Sequence, residues 1–110
     1  MDIQLTKNAD KLICVIYKIY LERIKNGQSM RNAKYFEHLK YGKSDIRENK
    51  HLSGWHPDDI SDILAELKNL GFIKLFIGGS FSLESPGIIY MENRFKNGLI
   101  EVTDFLAKFL

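Results

Sequence analysis

Three histidines, one cysteine and a short serine–histidine–aspartate run are the residues of this chain whose types could do chemistry. A helix-borne metal site needs two imidazoles three or four residues apart so that both point at one ion. His38, His51 and His56 contain no such pair, and all three are read as solvent-exposed. Cys14 lies among Leu12, Ile13, Val15 and Ile16. That setting predicts a small buried hydrophobe whose thiol resists ionisation, and a lone cysteine excludes an internal disulfide framework or a multi-thiolate site. Ser53, His56 and Asp58 supply triad residue types, but a nucleophile also needs a rigid elbow and an oxyanion hole, and no nearby pattern builds either. Gly78-Gly79-Ser80 lacks the Gly-Lys-Ser/Thr ending with which a phosphate loop grips its nucleotide, so it reads as a turn. The expectation is a protein that is not an enzyme, with no catalytic residues, no metal and no cofactor.

Charge is the remaining source of chemistry. The net charge of +2 hides an asymmetry: residues 1–56 hold 11 Lys+Arg against 6 Asp+Glu, and residues 57–110 hold 5 against 8. A basic first half points to an anionic partner. Its candidate phosphate contacts are Arg31, Lys34, Lys40, Lys43, Arg47 and Lys50. Such charges position a backbone without reading bases; a continuous positive strip through Arg31, Lys34 and Arg47 would favour nucleic acid, and a scattered distribution a protein partner. Tyr35 and Tyr41 interleave with them, placed either to stack or hydrogen-bond on a ligand or, the commoner case at this spacing, to form the edge of the core. The second half opens with Asp58, Asp59 and Asp62, followed by Glu66. Asp58, Asp62 and Glu66 lie four apart, so on a helix they form one acidic stripe. Carboxylates in a first helical turn are also favoured by the helix dipole, by about 0.3–1 kcal/mol each.

The elements that must position these charges follow from periodicity. Thr6 can cap a helix with Ala9, Leu12, Ile13, Ile16, Tyr20 and Ile24 at three- and four-residue spacing, stopped by Asn26-Gly27. Cys14, Val15, Tyr17, Ile19 and Leu21 widen its apolar surface, which predicts a central helix covered on two sides. Ser29 opens a second helix, with Met30, Ala33, Phe36 and Leu39 on one side, ending near Gly42. Residues 43–56 read as a polar loop holding one helical turn. Pro57 suits the first position of a third helix, with Ile60, Ile63, Leu64, Leu67 and Leu70 as its core stripe, closing at Gly71. Phe72 to Glu84 reads as a β-hairpin around Gly78-Gly79. A three-residue loop puts Ile73, Leu75, Ile77, Phe81 and Leu83 on one face and Lys74 opposite Glu84. A terminal helical region, residues 88–110, is interrupted near Asn97-Gly98.

This order, three helices, a hairpin and a further helix, resembles the winged helix-turn-helix superfamily. The likeness rests on Leu64-Ala65-Glu66-Leu67-Lys68-Asn69-Leu70-Gly71-Phe72-Ile73, similar to that superfamily's third helix running into its wing. It also rests on Phe81-Ser82-Leu83-Glu84-Ser85-Pro86-Gly87-Ile88-Ile89-Tyr90-Met91-Glu92, similar to the second wing strand and the start of a terminal helix. Small winged-helix proteins of bacteria and their phages carry this pattern. Length and composition fit one domain over residues 1–110; the resemblance, over about residues 6–96, implies a mostly α fold with a small β-hairpin and an additional C-terminal helix, and a DNA-binding, transcription-regulator-like role. Two departures stand against a reading helix in the major groove: the third helix is acidic, and the wing tip Gly78-Gly79-Ser80 carries no Arg or Lys.

Two partners follow from these features. Double-stranded DNA would be held through helix 2 and the loop after it. Alternatively, a protein partner would dock on Asp58, Asp59, Asp62 and Glu66. In the terminal region Phe95, Leu99, Val102, Leu106 and Phe109 either cover the first helix or pair with a second copy, and the resemblance leans to a homodimer. No apolar run approaches the roughly 20 residues of a membrane span, and the opening residues lack a secretory pattern, so a cytoplasmic location is expected.

Overall fold

The computed structural model describes residues 3–37 and 45–108. Helix α1 (Lys7–Lys25) starts where Thr6 Oγ1 accepts the Ala9 amide at 3.2 Å, and its last carbonyls are closed by the amides of Asn26, Gly27 and Gln28. Its buried residues run without a break from Leu12 to Tyr17 and add Ala9, Ile19 and Tyr20. That breadth is more than one stripe can use, and α1 accordingly packs against elements on two sides, the terminal helices on one and the third helix on another.

The second helix is much shorter than its periodicity suggests. Helix α2 (Met30–Ala33) is a single turn, capped by Ser29, and the chain then extends into strand β1 (Tyr35–Phe36). Ala33 and Phe36 are buried as expected, but Phe36 faces inward as a strand residue, its ring stacked on Phe81 at 4.8 Å. Ala33 closes the turn of α2 and Phe36 lies on β1, so their three-residue spacing belongs to neither element alone. The decision comes from β1 pairing, which gives the outer edge of another strand its hydrogen bonds, including Leu83 N–H to the Lys34 carbonyl at 2.9 Å. Met30, expected on the core side, is exposed. The expected helix end, with Leu39 and Gly42, lies outside the described residues.

A short 3-10 turn (Lys50–Leu52) supplies the helical turn expected in the following loop. Helix α3 (Pro57–Asn69) buries Ile60, Leu64 and Leu67 and closes on Gly71, whose φ of 79° favours a residue without Cβ. The Gly71 and Phe72 amides bond back to the Lys68 and Leu67 carbonyls and deliver the chain straight into strand β2 (Ile73–Leu75).

Strand β2 pairs antiparallel with β3 (Phe81–Leu83), and β3 with β1, giving the order β1-β3-β2. The register is Ile73↔Leu83, Lys74↔Ser82 and Leu75↔Phe81. The Phe76 amide donates to the Ser80 carbonyl at 2.9 Å, so the three-residue loop is Ile77-Gly78-Gly79 rather than Gly78-Gly79-Ser80. Gly78 and Gly79 both have φ 96°, conformations that cost a side-chain-bearing residue. A shift of two residues keeps every side chain on its face. Ile73, Leu75, Phe81 and Leu83 therefore still face the core, but Lys74 stands opposite Ser82 rather than Glu84, and Ile77 is expelled into solvent.

Helix α4 (Ser85–Arg94) enters under tight constraint: a Cβ at Gly87 would sit 2.7 Å from the Phe72 carbonyl oxygen. Helix α5 (Leu99–Ala107) turns back from Gly98, at φ 63°, onto α1. Asp10 of α1 receives both guanidinium arms of Arg94, whose plane also lies over the rings of Phe95 and Phe105. Val102 and Leu106 are fully buried, Phe95 is buried, and Leu99 is half-buried. These residues, expected either to cover α1 or to pair with a second copy, lie on helices that pack against α1. Phe109 lies outside the described residues.

Candidate nucleic-acid interface

The cations singled out in the sequence are dispersed. Arg31 on α2 and Lys34 just after it line a groove of about 780 Å³ together with Tyr35 and Phe76. Glu37, Asp45 and Glu48 line the same groove, so its charge is mixed. Arg47 lines a separate 300 Å³ hollow with Leu52, Trp55, Pro57 and Ile60, and Lys50 borders a third depression beside Glu22. Arg31 and Lys34 thus share one groove while Arg47 lines another hollow; Lys40, Lys43 and Tyr41 lie outside the described residues.

Arg23 organises this region, and its sequence context gave no sign of it beyond a basic residue in a last helical turn. One guanidinium arm donates to the carbonyls of Ala33 at 3.2 Å and Tyr35 at 2.7 Å, and the other to Asp45 at 2.6 Å. Its plane lies 4.4 Å from the centre of the Phe36 ring. Arg23 thus joins the end of α1 to α2, β1 and the turn at Asp45. It holds the groove in shape and is spent on structure.

Tyr35 was expected at the core edge and is instead a surface residue, 47% exposed. It shares the solvent face of the sheet with Lys74 and Phe76, because these positions alternate with the buried Phe36 and Ile73 and the half-buried Leu75. The Tyr35 and Phe76 rings are 6.1 Å apart, and the Lys74 ammonium is 5.5 Å from the Phe76 ring centre. The outward residue of the central strand is Ser82, with Ser80 just before the strand. Their small side chains leave the floor low between the two rings.

The acidic surface is real and differently built. Asp58, Asp59 and Asp62 are exposed on α3. Glu66, at the end of the stripe, is half-buried and accepts the Thr6 hydroxyl at 3.3 Å. His56 caps α3, its Nδ1 accepting the Asp58 amide at 3.0 Å, a role that occupies the atom a triad would need. Asp59 and Asp62 flank a depression that also includes Asn8, Trp55 and Ile63.

Of the other histidines, His38 is outside the described residues and His51 is buried, contrary to expectation. The 3-10 turn folds it inward, and its Nδ1 has no hydrogen-bond partner among the described residues. Burial first, then the positive charges of Lys18, Lys50 and Lys11, hold its pKa below the usual 6.5. Cys14 is fully buried, and burial pushes its thiol up to about 12 against the opposing pull of Arg94. Among the described residues no group of three His, Cys, Asp or Glu side chains could hold a metal ion, and no helix is long and apolar enough to cross a membrane.

Compared with protein-family models, with curated proteins and with solved structures, the chain matches none of them.

Proposed function

We propose that this chain is a non-enzymatic DNA-binding domain of the winged helix-turn-helix type, resembling transcription regulators, that holds duplex phosphates through Arg31, Lys34 and the segment after α2. Three features support the winged-helix part. The sheet order is β1-β3-β2, α3 lies between β1 and β2 in the chain, and the hairpin issues directly from α3 through Gly71. One observation carries the choice of surface: the exposed Arg31 and the half-buried Lys34 lie beside exposed aromatic rings, whereas the outward face of α3 is acidic and would repel a phosphate backbone.

The test is a salt series of duplex titrations. Binding at about 50 mM salt should weaken steeply as salt rises, and Arg31→Glu with Lys34→Glu should abolish it. A second reading has its own support in the exposed Asp58, Asp59 and Asp62 on α3. In it, α3 docks on a basic protein surface, with Glu66 at the margin. Absence of duplex binding at about 50 mM salt would retire the first reading and leave the second.

A further inference from the structure

We infer that the solvent face of the three-stranded sheet takes single-stranded DNA, stacking bases on Tyr35 and Phe76 while Arg31, Lys34 and Lys74 meet the phosphates. The inference rests on the DNA-binding reading and names the form of nucleic acid this face suits.

The argument begins with what a rigid duplex cannot use. Two ring faces on a flat sheet offer stacking, but duplex bases are already stacked on one another, and only an unpaired strand can turn its bases onto protein rings. The acidity of α3 is a liability for major-groove reading, and none of Asp58, Asp59, Asp62 and Glu66 lines the groove beside Tyr35 and Phe76. The face itself has the needed parts. Tyr35 on β1 and Phe76 beyond β2 flank the central strand, whose outward Ser82 and neighbouring Ser80 leave room above the backbone. Their rings, 6.1 Å apart and inclined at 42°, present adjacent but not parallel surfaces, suited to successive bases of a flexible strand. Lys74 lies beside Phe76, and Arg31 and Lys34 line the groove that Tyr35 and Phe76 share.

Four carboxylates temper the charge of this face. Glu84 accepts the Ser82 hydroxyl at 3.1 Å, and Glu37, Asp45 and Glu48 line the groove, Asp45 being held by Arg23. Affinity should therefore come chiefly from stacking, with a salt dependence bounded by three phosphates, a log–log slope no steeper than about −2.

The experiment titrates the full chain into fluorescein-labelled oligothymidine of about 20 nucleotides, and in parallel into a labelled duplex, reading anisotropy at about 50 mM salt. The expected result is binding of the oligothymidine, weakened about tenfold by Tyr35→Ala and about tenfold by Phe76→Ala, with Tyr35→Phe within about twofold of the parent. Far-UV circular dichroism and urea midpoints equal to the parent's show that these variants remain folded. Oligothymidine left unbound while the duplex binds overturns the inference, as does oligothymidine bound equally by the parent and the alanine variants; both results leave the duplex reading standing. Failure of the parent chain to bind either ligand removes both.

Discussion

The two flanks of α1 carry similar side chains and use them in opposite ways. On the α4–α5 side, Met91, Phe95, Val102 and Leu106 are buried, and Arg94 is held by Asp10 against two phenyl rings. On the side of α2 and the hairpin, Met30, Tyr35, Phe76 and Ile77 remain exposed, and Arg31 lines an open groove. Apolar side chains withdrawn from water contribute to folding, at about 25 cal/mol per Å² buried. Those left in water contribute nothing there and mark a surface available to a partner. Two arginines sharpen the contrast further. Arg23 and Arg94 each stack on a phenyl ring and bind a carboxylate, and both are consumed in joining elements. The cations that could meet a ligand are their neighbours.

Substitutions should separate the flanks by size of effect. Leu106→Ala should cost about 2–5 kcal/mol in urea unfolding, since it empties a fully buried site against α1. Because its cover comes from the same chain, the loss should be equal at low and high protein concentration; a loss confined to high concentration would break the comparison. Gly87→Ala should cost about 1–3 kcal/mol, because the new methyl meets a backbone carbonyl that cannot move without disturbing β2. On the other flank Ile77→Ser, at a fully exposed position, should change stability by no more than about 0.5 kcal/mol. A larger cost would mean that the hairpin tip is part of the core after all.

Acid should act through His51. Its folded pKa is lowered from 6.5, so above that pH the imidazole is neutral in both states and its contribution to stability is complete. As pH falls below 6.5 the unfolded chain takes up the proton first, and stability is lost until the folded pKa is also passed. Urea midpoints measured from about pH 7.5 down to 5 should therefore fall, and His51→Gln should flatten that part of the curve. An unchanged slope would place the acid sensitivity elsewhere.

Local signals located most elements. Thr6 and Asn26-Gly27 bound α1, Pro57 and Gly71 bound α3, and Gly98 separates α4 from α5, because caps and positive-φ positions act within a turn of the residues that encode them. The failure at α2 is instructive. Met30, Ala33 and Phe36 satisfy helical spacing, but a strand edge at β3 offered Tyr35 and Phe36 hydrogen bonds that no local rule contains. The hairpin slipped by two residues for a related reason: alternation has period two, so it determines the face and leaves the register to the turn. Of the candidate interface, the individual charges were legible and their grouping was not. Arg31 and Arg47 are close in sequence yet line separate hollows, and Tyr35 reached the surface only because β1 exists.

The amino-acid sequence by itself determined a mostly helical chain with one glycine-turned hairpin, a broad apolar first helix, an inert cysteine and an acidic third helix. Those properties depend on spacing and residue type within a few turns. Tertiary structure alone decided that the terminal helices cover α1, that Arg23 and Arg94 serve as clamps, that His51 is buried, and that Tyr35 and Phe76 share an open sheet face. Each of these arises from a meeting of residues distant in the chain, where burial and unsatisfied backbone groups choose among arrangements that local propensity leaves equal.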